Sequence, residues 1–197
     1  MLKKELSGCD IILDLGCGRH SVLAYSNVLS SVKCSIGVEL FDPYLLESRR
    51  NRIHSQYIKA DVRKIEFKPK TLDAAVALDL LEHLTKEEGV DLINRMGKWA
   101  RKKVIVFTPN GYLQQDAYDE NPLQEHRSGW SIKELQGLGF EVFGMNGWKN
   151  LRGYKASLKY KPSFLWEMVS SISQIITYRH PRLAFQLLAV KQIKEVD

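Results

Sequence analysis

Four carboxylates spaced along the first half of the chain, Asp14, Glu39, Asp61 and Asp79, are the residues best placed to do chemistry. Each closes a short apolar run. A single acid in that place ordinarily caps the helix that follows it. Four in succession would instead line one cleft with negative charge, on a chain whose formal charge is +6. Such a cleft attracts a cationic ligand and repels a pyrophosphate. Just after the first acid, Gly16 and Gly18 flank Cys17. Glycines there permit a tight turn and let the backbone approach a ligand with no Cβ in the way.

The elements that must position these groups follow from pattern. Ile11-Ile12-Leu13-Asp14 reads as a buried strand entering the Gly-Cys-Gly turn, and residues 21–31 as a helix. Residues 34–39 form a second strand. Asp42 and Pro43 then supply an N-cap and a first-turn proline for a helix to about Arg52. Residues 56–61 and 72–79 are a third and fourth strand, each ending on an acid. Thr85 and Glu88 have capping-box spacing for a helix to about Arg101, with Val90, Ile93 and Gly97 on one face. Val104-Ile105-Val106-Phe107 is a fifth strand, followed by a polar loop of about twenty residues, long enough to suspect function. Ser131 and Glu134 form a second capping box for a helix closed by Gly137 and Gly139. Residues 140–144 are a sixth strand, and residues 183–190 a seventh after a helical insert at about 155–180. Strands alternating with helices imply an α/β fold with a mostly parallel sheet and helices on both faces. Ligands of such sheets bind at the carboxyl ends of the strands, where this chain places its acids.

Asp14-Leu15-Gly16-Cys17-Gly18-Arg19-His20 resembles the glycine-rich first motif of the class I S-adenosylmethionine-dependent methyltransferases, an acid-x-Gly-x-Gly-x-Gly. Gly16 and Gly18 match its first two glycines, and His20 departs from the third. S-adenosylmethionine carries a sulfonium and an ammonium, which suit an acidic cleft. A dinucleotide is disfavoured by Asp14, by Ser21 where a final Gly or Ala is expected, and by the later acids. The resemblance covers about residues 10–145 and, with residues 183–190 as the closing antiparallel strand, implies a Rossmann-like seven-stranded sheet. It implies that Asp14, Gly16, Cys17 and Gly18 meet the cofactor, that Glu39 binds the ribose hydroxyls and that Leu40 packs on the adenine. It also implies that Asp61, beside Val62, accepts from the adenine amino group, and that Asp79 and Leu80 lie near the methionine end.

The acceptor is less defined. The Asn/Asp-Pro-Pro-aromatic motif of nucleic-acid adenine methyltransferases is missing after the fourth strand, where Asp79-Leu80-Leu81-Glu82 stands. Basic residues interleaved with base-stacking aromatics are also missing, so nucleic acid is disfavoured. A histidine is the natural proton acceptor for an O- or N-nucleophile. His83 and His126 follow strand ends on the ligand side, but His83 reads more readily as a polar residue at a helix start, and His126 as a hydrogen-bonding loop residue. Asn110, Tyr112, Gln115, Tyr118 and His126 make the loop after the fifth strand rich in hydrogen-bonding groups, suggesting that it orders over an acceptor. The alternative is a lid pinned by Pro109, Pro122 and Trp130.

In the insert, Leu165, Met168, Val169, Ile172, Ile175 and Ile176 recur at helical spacing. Such a stripe usually packs into a core. The flanking Lys155, Lys159, Lys161, Arg179 and Arg182 also suit a pocket lid or an interfacial helix with weak membrane-surface contact.

With 44% hydrophobic and 26% charged residues, the 197-residue chain has the composition of a single globular domain, residues 1–197. Cys9, Cys17 and Cys34 form no CxxC pair and no Cys/His ligand spacing, so neither a disulfide framework nor a metal is expected, and a reducing cytoplasm fits. No signal-like or bilayer-spanning stretch is visible. The reading is a cytoplasmic S-adenosylmethionine-dependent methyltransferase acting on a small-molecule or lipid-linked acceptor. The alternatives are an RNA or protein methyltransferase, or a non-catalytic cofactor-binding module of the same fold.

Overall fold

A computed structural model of the chain describes residues 1–26 and 28–194, with the backbone alone for Lys155. Seven strands, β1 (Ile11–Leu15), β2 (Cys34–Glu39), β3 (Gln56–Lys59), β4 (Leu72–Leu78), β5 (Ala100–Pro109), β6 (Glu141–Trp148) and β7 (Ala184–Gln192), form a sheet in the order β3-β2-β1-β4-β5-β7-β6. The sheet is parallel except at the end of the chain, as the alternating pattern implies for a Rossmann-like α/β fold. The helices are α1 (Leu2–Glu5), α2 (Val22–Tyr25), α3 (Asp42–Arg50), α4 (Lys86–Trp99), α5 (Ile132–Gly137) and α6 (Ser163–Arg179). The chain gathers into two compact units.

The first unit comprises Met1–Leu80, Glu87–Ile105 and the residues from Val190. Every residue of β4 is buried, as expected of a central parallel strand. β4 pairs with β1 in the register Leu13↔Ala75, and β1 with β2 in the register Leu15↔Val38. The polar exception in β4 is Asp73. Its carboxylate accepts the N–H groups of Asp10 (2.7 Å) and Ile11 (3.0 Å) at the start of β1 and pairs with Arg101 and Lys102. It therefore clamps together the amino-terminal ends of the central strands β1 and β4, opposite the acidic strand ends. α4 buries Leu92, Ile93, Met96 and Trp99. Of the expected face, Ile93 is buried and Val90 and Gly97 are half-buried at its margin; the helix stops at Trp99, and Ala100 already belongs to β5.

The second unit comprises Leu81–Lys86 and Val106–Ala189. The Ser131–Glu134 capping box forms as expected, and Trp130 before it is buried, with Lys86 Nζ lying 4.1 Å from its ring centroid. α6 packs against β6 through its polar face. Gln174 donates to Gly144 O and accepts from Gly147 N, Ser170 donates to Asn146 O, and Ser173 accepts from Trp148 N. A Cβ on Gly144 would lie 2.0 Å from Thr177 O, and one on Gly147 2.2 Å from Ser170 O, so two glycines let the helix backbone settle onto the strand.

That packing overturns the expectation of a core helix. Phe164, Leu165, Met168, Val169, Ile172, Ile175 and Ile176 all face solvent, with Ile175 79% exposed, while the buried positions of α6 are Ser170 and Thr177. The hydroxyl and amide groups satisfy the open backbone groups of β6, so they take the inner face and leave the apolar stripe outside. A smaller correction concerns residues 21–31, which hold the short α2 and a 3-10 turn at Leu29–Ser31, with Asn27 outside the described residues. Phe41, not Asp42, occupies the N-cap of α3. β3 ends at Lys59 and β4 at Leu78, so Asp61 and Asp79 stand just beyond their strands.

Candidate functional site

The turn after β1 is built as its sequence requires. Gly16 and Gly18 have φ of 65° and 60°, in the left-handed region that favours glycine. They serve different ends. A Cβ on Gly16 would lie 2.7 Å from Leu80 Cδ1, so this glycine makes room for the residue after β4. A Cβ on Gly18 would meet nothing within 4 Å, which leaves its side of the turn open to a ligand. Asp79 is itself in the left-handed region, with φ of 51°, at a cost of order 1–3 kcal/mol for a residue other than glycine.

Glu39 is buried at the end of β2 and bridges two segments. One carboxylate oxygen accepts Gly18 N–H at 3.1 Å and the other accepts Phe41 N–H at 2.8 Å. Burial raises its pKa, and the backbone donors of Phe41, Gly18 and Leu40 only partly offset that. Asp14 is buried beneath the turn. It accepts the Ser21 hydroxyl, which in turn caps α2 by accepting Leu23 N–H, so Asp14 shapes the turn from below. His54, missed in the sequence because it sits in a turn, places its fully buried Nε2 3.3 Å from Asp14 Oδ2, without hydrogen-bond geometry. Gly37 makes space for that ring: a Cβ there would lie 2.6 Å from His54 Cδ2 and 3.0 Å from Cys17 Sγ. Burial, followed by the charges of Asp14 and Glu39, pushes the Cys17 thiol pKa up, so Cys17 is an inert packing residue.

Asp61 is gripped by Arg63, which donates from its backbone N–H, Nε and Nη2 at 2.7–3.1 Å. Those side-chain bonds lead the lowering of the Asp61 pKa and keep it ionised. Arg95, in the middle of α4, holds the same loop from behind by donating to the carbonyls of Val62, Arg63 and Ile65. Val62 is buried, whereas Leu40, Asp79 and Leu80 are half-buried. The first unit thus contains every cofactor residue named from the sequence.

The second unit contains both candidate histidines and brings them together. His83 and His126 meet edge to face with ring centroids 4.8 Å apart. His83 Nδ1 lies 3.1 Å from Glu125 O, and His126 Nδ1 2.6 Å from Leu113 O. Burial lowers both pKa values, that of His83 to about 4, so both rings are neutral at neutral pH. Beside them lies the buried Glu82, whose carboxylate accepts the Thr108 hydroxyl at 3.0 Å. The loop after β5 is fixed by its own bonds: His126 N to Gln115 O, Gln115 Nε2 to Gln124 O, and Arg127 N and Ser128 N to Glu82 O. Asn110 is spent on the carbonyls of Pro181 and Ala184. These bonds tie the loop to itself, to Glu82 and to the segment before β7.

Residues 13–113 match the family model described as methyltransferase domain. The chain belongs to that family. A curated relative, an uncharacterized protein of Methanocaldococcus jannaschii, is 24% identical over 92% of this chain and 73% of its own length. Among solved structures, the fold is similar to that of a SAM-dependent methyltransferase from Archaeoglobus fulgidus, with a TM-score of 0.61, 19% identity, and 96% of this chain and 88% of that one covered. It is also similar to magnesium protoporphyrin IX methyltransferase from Synechocystis PCC 6803 with bound SAM, with a TM-score of 0.52, 17% identity, and 96% and 73% covered. The likeness to these methyltransferases is one of fold, and their own substrates belong to them.

Proposed function

We propose that the protein is an S-adenosylmethionine-dependent methyltransferase whose acceptor is lipid-linked and is met at an anionic membrane surface. Membership of the methyltransferase-domain family supports the reaction class. The open side of the Gly18 turn and the carboxylate of Glu39 fit the cofactor, with Leu40, Asp61, Val62, Asp79 and Leu80 as its further contacts. When bound, that cofactor supplies a methyl group already activated on sulfur, so the protein's task is alignment. Gly18 and Glu39 hold a fixed turn, and Arg95 fixes the Asp61 loop.

The outward apolar face of α6 carries the acceptor class. Each of its large side chains would contribute about 1.5–3 kcal/mol on leaving water. Lys159, Lys161, Arg179 and Arg182 lie exposed at the two ends of the helix. Tyr160 packs on Trp166 at 4.9 Å, adding an aromatic pair of the kind favoured at membrane interfaces. A helix that is apolar on one side and flanked by cations suits the headgroup boundary of an anionic bilayer. Among the described residues no helix is long and apolar enough to cross a membrane. A cytoplasmic location suits the three free cysteines.

Two measurements test this reading. Vesicles of phosphatidylglycerol should carry the protein in flotation, vesicles of phosphatidylcholine should carry much less, and Ile172→Ser/Ile175→Ser should abolish the difference. Methyl-labelled cofactor incubated with cell extract should label a solvent-extractable lipid fraction. Label in nuclease-sensitive or protein material, or only in water-soluble metabolites, would overturn the acceptor class.

A further inference from the structure

We propose that Glu82, His83 and His126 form a binding site for a divalent first-row transition-metal ion. One ligand atom from each residue lies within 4.8 Å of the others, and Glu82 and His126 are buried. This departs from the expectation of no metal, and the reason is topological. Glu82 and His83 are neighbours after β4, whereas His126 arrives from the loop after β5, so no ligand spacing shows in the sequence.

Three further features fit a ligand set. First, a backbone carbonyl has only lone pairs to offer, so a ring nitrogen facing one must carry the hydrogen. Nδ1 of His83 faces Glu125 O and Nδ1 of His126 faces Leu113 O, which leaves Nε2 as the lone-pair nitrogen in both rings. Histidine ligands are oriented in this way, with the second nitrogen donating to a carbonyl or carboxylate. Second, Thr108 orients the carboxylate of Glu82, as outer hydrogen bonds orient ligating acids. Third, the backbone of the cluster is fixed in advance, because Glu82 O accepts from Arg127 N at 2.7 Å and Ser128 N at 3.0 Å, and Leu81 O accepts from the Ser128 hydroxyl at 3.1 Å.

The donor set chooses the ion. Two imidazole nitrogens and one carboxylate favour Zn²⁺, Fe²⁺, Mn²⁺ or Co²⁺ over Mg²⁺ or Ca²⁺, which prefer all-oxygen sites. At bond lengths of about 2.0–2.2 Å, ligand atoms around one such ion stand roughly 3–4 Å apart, closer than the 4.8 Å within which one ligand atom of each residue lies, so the side chains must draw in to close the set. Three protein ligands leave at least one coordination position for an exogenous oxygen, the arrangement of reactive rather than structural sites. A cation there would hold an acceptor's oxygen as a Lewis acid. That use, unlike the binding itself, rests on the methyltransferase reading.

Co²⁺ and Zn²⁺ are the probes. The full-length protein, stripped with a chelator and dialysed, should bind about one equivalent of Co²⁺ with visible d–d absorption, and Zn²⁺ should displace it. His83→Ala should weaken Co²⁺ binding by at least the roughly 10–100-fold that loss of a supporting partner costs. Because His126 and Glu82 are buried, Glu82→Gln serves as the isosteric control, with circular dichroism to establish folding. It should stay folded and bind Co²⁺ roughly 10-fold or more weakly. A wild type that binds neither ion at micromolar concentration, or folded His83→Ala and Glu82→Gln variants that bind Co²⁺ like the wild type, would overturn the site. S-adenosylhomocysteine titrated into the same samples separates the two ideas. Cofactor binding without metal binding removes only the metal site, and metal binding without cofactor binding removes only the methyltransferase reading.

Discussion

Glu39 accepts the backbone N–H of Gly18 at 3.1 Å, joining the end of β2 to the open side of the glycine turn. The same carboxylate accepts Phe41 N–H and so also sets the entry to α3. An acid that only capped a helix would have no reason to reach the turn. Hydrogen bonds from ribose hydroxyls to such a carboxylate contribute about 1.5–3 kcal/mol each. Glu39→Ala should therefore weaken S-adenosylhomocysteine binding roughly tenfold or more, which calorimetry reads directly. Burial raises the Glu39 pKa, so its acceptor capacity falls on acidification while ordinary glutamates, with pKa of about 4.3, are still ionised. In a pH series, affinity should begin to fall above that value in the wild type and stay flat in Glu39→Ala. Unchanged affinity in the variant would leave Glu39 a structural bridge alone.

The two glycines of the turn should separate stability from binding. Alanine at either must adopt positive φ, at about 1–2 kcal/mol. Gly16→Ala must also displace Leu80, 2.7 Å from the added carbon, so its melting temperature should fall further. Gly18→Ala puts its methyl into open space and should lose most cofactor affinity for the smaller loss of stability. The reverse ranking in thermal melts would mean that the open side of Gly18 is not where a ligand lies.

Much of this was legible in the sequence because it depends on local chemistry. Apolar runs ending in acids gave the first four strands, and Ser131 and Glu134 declared their capping box three residues apart. What stayed hidden was set by tertiary packing. Arg95 reads as a solvated helix residue, yet it is buried against three carbonyls that only the folded loop brings within reach. The pattern of α6 named the right stripe and the wrong side, since helical spacing identifies an apolar face without saying what it meets. Here Ser170, Ser173 and Gln174 had polar backbone to satisfy on β6, and that decided the orientation. His83 reads as a polar residue at a helix start and His126 as a loop residue, and only the fold sets their rings together.

Asp73 should govern the acid limit of stability. Burial alone would raise its pKa, but hydrogen bonds from Arg101, Lys102, Asp10 N and Ile11 N outweigh that and hold it well below the usual carboxylate range. A carboxyl whose pKa is depressed by folding stabilises fully above its unfolded value, near 3.9, and loses that contribution as pH falls from there toward the folded value. Wild-type stability should thus decline below about pH 4 with a component that Asp73→Ala lacks. At neutral pH that variant should be less stable by about 3 kcal/mol, because two buried N–H groups and two cations lose their partner. Equal urea midpoints at pH 7 would contradict the clamp.

Calorimetric titration of the wild-type protein with S-adenosylmethionine, S-adenosylhomocysteine and NAD tests the central claim most directly. The turn at Gly18 and the acids Glu39, Asp61 and Asp79 suit a cationic cofactor and oppose a pyrophosphate. Binding of both S-adenosyl ligands with no heat from NAD is the expected result. Clear binding of NAD, with neither S-adenosyl compound bound, would contradict the account.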